Sequence, residues 1–306
     1  MIKKYTSKNI TWIDMEEPDR REIKSLMNEY KIHPLVAEEL LISTFRPTVD
    51  LYDNFIYLIL HFPILSHSNG EVSSSNLEID FIIGKDFFIT TRYNGINPLQ
   101  KTSKIFEIEN ILNEKNRWEH GGYLFYYVAQ QLYKNLIDEL DYLENLQEDM
   151  ESGIFGGNEK KMVKKISQVS HNLLDFRQAI LPHKEVLDSL EKIGGEFFGK
   201  DFSYYLKDVN NKYRKVSHII ETNIENLKEL RITNDSLLTT KQNETMKIFT
   251  ILAFVTFPLS LFASLFGMNA AFMPIIGMKY DFWYIVGIML FLTGLMFTFF
   301  KYKKWF

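Results

Sequence analysis

Residues 248–278 read IFTILAFVTFPLSLFASLFGMNAAFMPIIGM, which is 31 positions without an Asp, Glu, Lys or Arg. A second charge-free stretch of 19 residues, FWYIVGIMLFLTGLMFTFF, follows at 282–300. A helix needs about 20 mostly apolar residues to cross a bilayer. We therefore predict two membrane spans, 246–266 and 282–302, joined by a loop at 267–281 whose Gly and Pro residues end the first helix. The alternative is a pair of buried core helices. It is disfavoured because the two charge-free stretches are long and lie close together in the sequence.

Basic residues fix the predicted orientation of the two spans. The connecting loop has one lysine, Lys279, which is offset by Asp281. The outer flanks of the spans hold five lysines, namely Lys241, Lys247, Lys301, Lys303 and Lys304. Because basic residues stay on the cytoplasmic side, we expect both chain ends in the cytoplasm and the loop outside. The chain is then an integral protein of the cytoplasmic membrane, with membrane lipid as a partner.

Composition excludes several functions for the remaining chain. The net charge of −4 divides into +3 on residues 248–306 and therefore −7 on residues 1–247. An acidic body without a basic stripe disfavours nucleic-acid binding. The absence of cysteine excludes disulfide scaffolds, zinc ribbons and thiol nucleophiles. The seven histidines are scattered and form no catalytic pattern, so we predict neither an enzyme nor an organic cofactor.

The body before the spans is predicted to have two parts. Residues 1–118 form an α+β domain, a mixed sheet with flanking helices, and residues 119–245 form a long-helix stalk before the transmembrane domain, 246–306. In the first part we expect strands at 9–13, 54–61, 76–83 and 86–91, helices at 18–28 and 34–41, and a polar connector at 66–75. In the second part we expect a leucine-striped helix after Glu119, a helix over 160–192 and a Gly-rich break at 193–200. No Gly or Pro lies between Lys200 and Pro258, so the last stalk helix should run unbroken to Phe266.

One face of the first span carries polar side chains. Spacings of three and four residues place on it Thr239, Asn243, Met246, Thr250, Ala253, Phe257, Ser260 and Ser264. Amide and hydroxyl groups facing lipid would cost free energy unless they are hydrogen-bonded. The stripe therefore indicates either packing between helices or a wet pathway. The absence of charged residues argues against a proton relay and favours passage of a hydrated ion.

The loop opens with Phe266 and then Gly267-Met268-Asn269, directly after the first span. With this tripeptide, a Met-Pro pair at 273–274 and a lysine cluster after the second span, the sequence resembles the CorA magnesium transporters. Further matches along the chain are Trp12-Ile13-Asp14, Ile32-His33-Pro34-Leu35, Arg46-Pro47, Ile83-Gly84-Lys85, residues 243–247 and Pro258-Leu259. The resemblance thus covers nearly the whole chain.

This resemblance implies a homopentamer whose first spans line a pore for hydrated Mg²⁺. Gly267, Met268 and Asn269 would form the outer entrance. Implied pore-lining residues are Asn243, Met246, Phe249, Thr250, Ala253, Phe257, Ser260 and Ser264, with Phe249 and Phe257 as apolar constrictions. The resemblance also implies that Asp208 belongs to a cytoplasmic site that senses Mg²⁺, with Glu71 as a candidate partner acid. High cytoplasmic Mg²⁺ would bridge neighbouring copies and close the pore.

Two departures from the family pattern leave alternatives open. The loop 270–277 has no acidic residue to concentrate cations, and the stalk lacks a clear acidic ring, for which Asp235 is the nearest substitute. A transporter of Zn²⁺, Co²⁺ or Ni²⁺ with the same fold is one alternative, although Met268 favours Mg²⁺. A membrane-tethered scaffold that transports nothing is the other.

Overall fold

The computed structural model describes residues 2–7, 10–44, 46–68, 71–93, 98–99, 103–106, 119–268 and 275–303, and of residues 67, 68 and 71 only the backbone. The chain divides into two compact units, Met1–Ile232 and Thr233–Phe306. The first unit holds a six-stranded sheet with helices. The second holds the C-terminal apolar helices.

The sheet is mixed, as predicted. Its strands are β1 Ile2–Ser7, β2 Ile10–Glu16, β3 Thr48–Leu51, β4 Phe55–Ser68, β5 Glu71–Gly84 and β6 Phe87–Arg92. They lie in the order β1-β2-β6-β5-β4-β3. Strands β2 and β6 pair in parallel, and all other neighbours pair antiparallel. The edge strands β1 and β3 are mostly exposed, whereas every residue of β6 is buried.

Two short helices follow β2 and cover one face of the sheet. Helix α1, Arg20–Tyr30, starts at a capping box in which the Asp19 carboxylate accepts from the backbone N–H of Glu22 and the Glu22 side chain accepts from that of Asp19. Helix α2 spans Pro34–Glu39, and His33 caps it by accepting from the backbone N–H of Leu35 at 3.3 Å. This contact gives His33 a structural role.

Long helices make up the rest of the chain. They are α3 Gly121–Phe155, α4 Glu159–Ile180, α5 His183–Phe198, α6 Ser203–Phe266 and α7 Asp281–Tyr302. The prediction of one helix over 160–192 is wrong, because α4 ends before Pro182, whose ring cannot continue its hydrogen bonding. The unbroken helix up to Phe266 is confirmed, and α6 contributes residues to both units.

The Gly-rich break predicted at 193–200 is also wrong for most of its length. Helix α5 continues through Gly194 and Gly195 to Phe198. A Cβ added to Gly194 would lie 2.3 Å from the Leu206 side chain, so this glycine allows α5 and α6 to approach closely. The chain turns only at Gly199, whose φ of +107° suits glycine.

The predicted polar connector at 66–75 is wrong as well. Strands β4 and β5 form one long hairpin whose pairing extends from Phe55 and Gly84 out to Ser68 and Glu71. The outer half is polar because α4 supplies hydrogen bonds rather than apolar cover. Asn172 donates to the carbonyl of Val72 at 3.1 Å, and the Ser74 hydroxyl donates to the Asp175 carboxylate.

The core lies on both faces of the sheet. On one face, Ile13, Ile82 and Ile89 pack with the buried side of α1 and α2. On the other, Phe125 of α3 meets Phe81 edge-on at 5.4 Å. Most of the leucine stripe predicted for α3 is buried, and its last member, Leu146, is partly buried. The buried members are Leu124, Val128, Leu132, Leu136, Leu140 and Leu143.

Candidate functional site

Two helices of the described chain are long and apolar enough to cross a membrane, judged by length and composition. They are α7 and α6, the latter counted together with the short helical turn at 200–202 that precedes it. Within the C-terminal unit, Phe254 of α6 contacts Phe300 of α7, with ring centroids 6.3 Å apart. Both helices otherwise expose large apolar side chains. An exposed apolar surface on helices of this length is what a lipid environment or further copies of the chain would cover.

The predicted pore-lining residues lie on one face of α6. The helix is continuous through them, so spacings of three and four residues keep their side chains aligned. The larger apolar members are free of contacts for most of their surface: Met246 is 57% exposed, Phe249 61% and Phe257 72%. Asn243, Ser260 and Ser264 are exposed, and Thr250 and Ala253 are partly buried.

Some polar side chains on this face form a hydrogen bond within the described chain, and others form none. Thr250 donates to the Met246 carbonyl at 2.8 Å, within its own helix. In α7, Thr293 and Thr298 do the same toward Met289 and Gly294. By contrast, no hydrogen bond joins the side chains of Asn243, Ser260 and Ser264 to any other described residue. Any partners of these three side chains lie outside the described residues, for example in water or in another copy of the chain.

The predicted entrance follows the end of α6. Gly267 closes the helix by donating to the Ala263 carbonyl at 3.0 Å, and Met268 donates to Leu265 at 3.4 Å. A Cβ on Gly267 would lie 3.2 Å from the Ala263 carbonyl oxygen, so glycine fits this close turn. Asn269, the third residue of the tripeptide, lies outside the described residues.

An acid organises the start of the second apolar helix. Asp281 accepts from the backbone N–H of Gly277 at 3.2 Å and from that of Phe282 at 2.7 Å. Gly277 has a φ of +101°, a conformation that L side chains rarely adopt. The loop's only acid therefore holds a turn.

The predicted regulatory residue Asp208 lies early in α6 and faces α3. Its Oδ2 accepts from the Tyr126 hydroxyl at 2.9 Å and from Gln130 Nε2 at 2.6 Å. Burial, and then the hydrogen bond to Asp208, raises the pKa of Tyr126 above its usual range. This phenol therefore stays protonated and acts as a donor.

Neither Tyr126 nor Gln130 was among the predicted site residues. The available indication was their i, i+4 spacing, which places two polar side chains on one side of the leucine-striped α3. Glu71, the candidate partner acid, is the first residue of β5, and its side chain lies outside the described part of the structure. Among the described residues, no three His, Asp or Glu side chains are grouped to hold a metal ion.

A family model for the CorA-like Mg²⁺ transporter protein matches residues 7–303. The "Cobalt/magnesium transport protein CorA" of Thermotoga maritima is 26% identical over 303 residues, covering 96% of this chain and 83% of that protein. The "Putative metal ion transporter YfjQ" of Bacillus subtilis is 25% identical over 300 residues, covering 96% and 89%.

A solved structure shows the same fold. The complete CorA magnesium transporter from Methanocaldococcus jannaschii superimposes with a TM-score of 0.83 at 18% identity, covering 99% of this chain and 93% of that chain. The mixed sheet, the long helix and the two terminal apolar helices are thus shared. Members of the matched family are transporters, which confirms that the chain is not an enzyme. On the family match over 7–303, the chain belongs to the CorA-like Mg²⁺ transporters.

Proposed function

We propose that this chain transports Mg²⁺ across the cytoplasmic membrane through a homopentameric pore lined by α6. The observation that carries the proposal is the set of polar side chains at Asn243, Ser260 and Ser264, which have no hydrogen-bond partner within the described chain. A ring of symmetry-related copies around a water-filled path would supply those partners. Family membership supports Mg²⁺ as the transported ion.

The proposed path suits a hydrated cation. Mg²⁺ gives up its water reluctantly, so uncharged amide and hydroxyl groups can hold its hexahydrate through the bound water. Gly267, Met268 and Asn269 form the proposed entrance, and rings of Asn243 and Ser260 provide later polar contacts. Phe249 and Phe257, both more than half exposed in the single chain, form apolar rings that can stop conduction by dewetting.

Gating is proposed to depend on cytoplasmic Mg²⁺. Asp208 provides a carboxylate in the first unit, and Glu71 is the candidate acid from a neighbouring copy. Empty, the two carboxylates repel each other. Mg²⁺ bridges them and so stabilises the closed assembly, which gives negative feedback on uptake.

The membrane arrangement follows from the sequence domains. Residues 1–118 and 119–245 lie in the cytoplasm, residues 246–306 form the transmembrane domain, and the loop 267–281 lies outside. The five lysines that flank the spans support cytoplasmic chain ends. No nucleic-acid partner or organic cofactor is proposed.

Flux measurements test the proposal. The full-length protein is reconstituted in liposomes that contain a Mg²⁺-sensitive dye, beside the variant Asn269→Ala and the control Thr298→Ala. We expect the native protein and the control to conduct Mg²⁺ and Asn269→Ala to lose most of the flux. Thr298 is a suitable control because its hydroxyl is satisfied within α7. If the native protein conducts no cation, the scaffold alternative is correct. Equal flux through Asn269→Ala contradicts the entrance assignment.

A second candidate function is transport of another divalent cation through the same pore. The Thermotoga maritima relative is named for both cobalt and magnesium, and the loop of this chain has no acid at 270–277. Competition of Co²⁺, Zn²⁺ and Ni²⁺ with Mg²⁺ in the same liposomes separates the candidates. Block of Mg²⁺ flux only by a large excess of the other ions supports Mg²⁺ as the substrate.

A further inference from the structure

Among the described residues, the hydrogen-bond partners of the Asp208 carboxylate are neutral. Its Oδ2 accepts two hydrogen bonds, from Tyr126 at 2.9 Å and from Gln130 at 2.6 Å. Among the described residues, no Lys, Arg or His forms an ion pair with Asp208, although its side chain is partly buried. The negative charge is therefore stabilised by hydrogen bonds but not neutralised, and it remains available to a cation from outside the chain.

Both donors are held in place within the chain. Tyr126 and Gln130 are one helical turn apart on α3, so a single rigid element presents both of them to α6. The Tyr126 ring packs edge-on against Tyr205 at 5.1 Å and against Tyr127 at 5.2 Å. A carboxylate only accepts, so the Gln130 amide presents its Nε2 side to Asp208.

The second carboxylate oxygen is left free. Oδ1 of Asp208 accepts no hydrogen bond from any described residue, and it is not among the enclosed polar atoms without a partner. The two donors thus use one oxygen and leave the other accessible. An accessible Oδ1 suits a hydrated cation, which keeps most of its water and needs only one acceptor from each of two neighbouring copies.

We infer that Tyr126 and Gln130 are positioning residues of the proposed Mg²⁺-sensing site, holding Asp208 by Oδ2 so that Oδ1 meets the cation shared with a neighbouring copy. This inference rests on the proposed function. Without the donors, Asp208 gains rotamer freedom and must lose it again when Mg²⁺ binds. Hydrogen bonds to charged groups are among the stronger ones in proteins, so even partial loss of one should raise the Mg²⁺ requirement about threefold to tenfold.

The test uses the full-length protein and measures the Mg²⁺ concentration that gives half-maximal protection from trypsin, with flux inhibition by cytoplasmic-side Mg²⁺ as a second readout. The variants are Tyr126→Phe, Gln130→Leu, Asp208→Asn and the double variant Tyr126→Phe/Asp208→Asn. The matched control is Gln131→Leu, because the neighbouring Gln131 donates to Asn135 rather than to Asp208. Gln130→Asn, whose shorter side chain cannot reach Asp208, replaces Gln130→Leu if the latter does not fold.

We expect Tyr126→Phe and Gln130→Leu each to raise the half-maximal Mg²⁺ concentration about threefold to tenfold and Gln131→Leu to leave it unchanged. In the Asp208→Asn background, Tyr126→Phe should have no further effect, because it acts through the carboxylate. A shift of equal size in that background would overturn the inference. So would a normal Mg²⁺ response in both donor variants while Asp208→Asn is impaired. If Asp208→Asn itself responds normally, the proposed sensing site and the inference both fail, whereas the pore proposal stands on the flux results.

Discussion

The Tyr133 hydroxyl lies 2.8 Å from Nδ1 of His183, and both side chains are enclosed between the sheet and the helices. Phe62 of β4 packs edge-on against the His183 ring at 5.2 Å. Nε2 of the imidazole has no hydrogen-bond partner among the described residues. Burial therefore lowers the pKa of His183 to about 3, and this histidine stays neutral in the folded protein.

Folding stability should consequently fall in acid. In the unfolded chain His183 has its ordinary pKa near 6.5, so below that pH it binds a proton that the buried imidazole of the folded state does not bind. The contribution of His183 to the free energy of unfolding is therefore fully present above pH 6.5. It is lost by about 1.4 kcal/mol per pH unit as the pH falls toward 3. Urea unfolding of the detergent-solubilised protein at several pH values measures the slope. His183→Phe should be less stable at neutral pH but show a shallower slope, whereas His171→Gln, at an exposed site, should keep the native slope.

Arg92 joins two acids at the parallel pair of strands. Its Nη2 lies 3.3 Å from Asp14 Oδ2 and 3.1 Å from Glu16 Oε2, and Arg92 and Asp14 are both buried. Arg92→Met should lower the free energy of unfolding by about 3–5 kcal/mol, because it leaves the Asp14 charge buried and unpaired. Denaturant titration of the full chain at neutral pH measures the loss.

A compensating change distinguishes the lost pair from lost packing. Replacing Asp14 by Asn in the Arg92→Met background removes the unpaired charge, so most of the stability should return. Lys4→Met serves as the control, because Lys4 pairs with Glu29 at a half-exposed site and should contribute little. A double variant as unstable as Arg92→Met would show that packing, rather than charge, accounts for the loss.

The start of α3 depends on a close backbone approach. A Cβ on Gly121 would lie 2.4 Å from the Phe87 carbonyl oxygen and 2.5 Å from that of Gly84. Gly121→Ala should therefore destabilise the chain, because the atoms it meets belong to the backbone of the sheet and cannot rotate away. Thermal unfolding compares it with Gly195→Ala in α5, where a Cβ finds only ordinary contact with Ser203. The control should be neutral or slightly more stable, since alanine favours helix. Equal behaviour of the two variants would contradict the close approach.

The proposed apolar constriction is testable with two phenylalanines one turn apart. Phe257 is 72% exposed on the predicted pore face, whereas Phe254 contacts Phe300 of α7. Phe257→Ala should increase residual flux at closing Mg²⁺ concentrations severalfold, because a wider, less apolar ring dewets less readily. Phe254→Ala should reduce the thermal stability of the assembly without that leak. Liposome flux at saturating cytoplasmic-side Mg²⁺ measures the difference, and a leak only in Phe254→Ala would refute the assignment of the pore face.

Much of the fold was predictable from local pattern. The charge-free stretches predicted the two apolar helices. The absence of Gly and Pro between Lys200 and Pro258 predicted that α6 is long and unbroken. Strands β1 and β3 were missed because their residues are mostly exposed and carry no apolar alternation. The outer half of the β4–β5 hairpin was misread because its Ser-rich sequence is stabilised by Asn172 and Asp175 of α4, about 100 residues away.

The candidate site shows the same limit. The polar face of α6 follows from spacing along one helix, which a sequence displays directly. Asp208 was identified only by resemblance to a family. The i, i+4 spacing of its two donors does not show which residue they contact, because Tyr126 lies 82 residues earlier in the chain and meets Asp208 only when α3 packs on α6.

The exposed edges of the sheet matter for any assembly that holds several copies side by side. An unpaired edge strand offers a row of free N–H and C=O groups to which another strand can add, and crowding favours that addition. Here one edge, β1, presents Lys3 and Lys4, and the other, β3, has four residues and carries Asp50. The lysines on β1 and the short length of β3 both disfavour pairing with a strand of a neighbouring copy. In the proposed assembly, neighbouring copies can therefore lie side by side without pairing their sheets through β1 or β3.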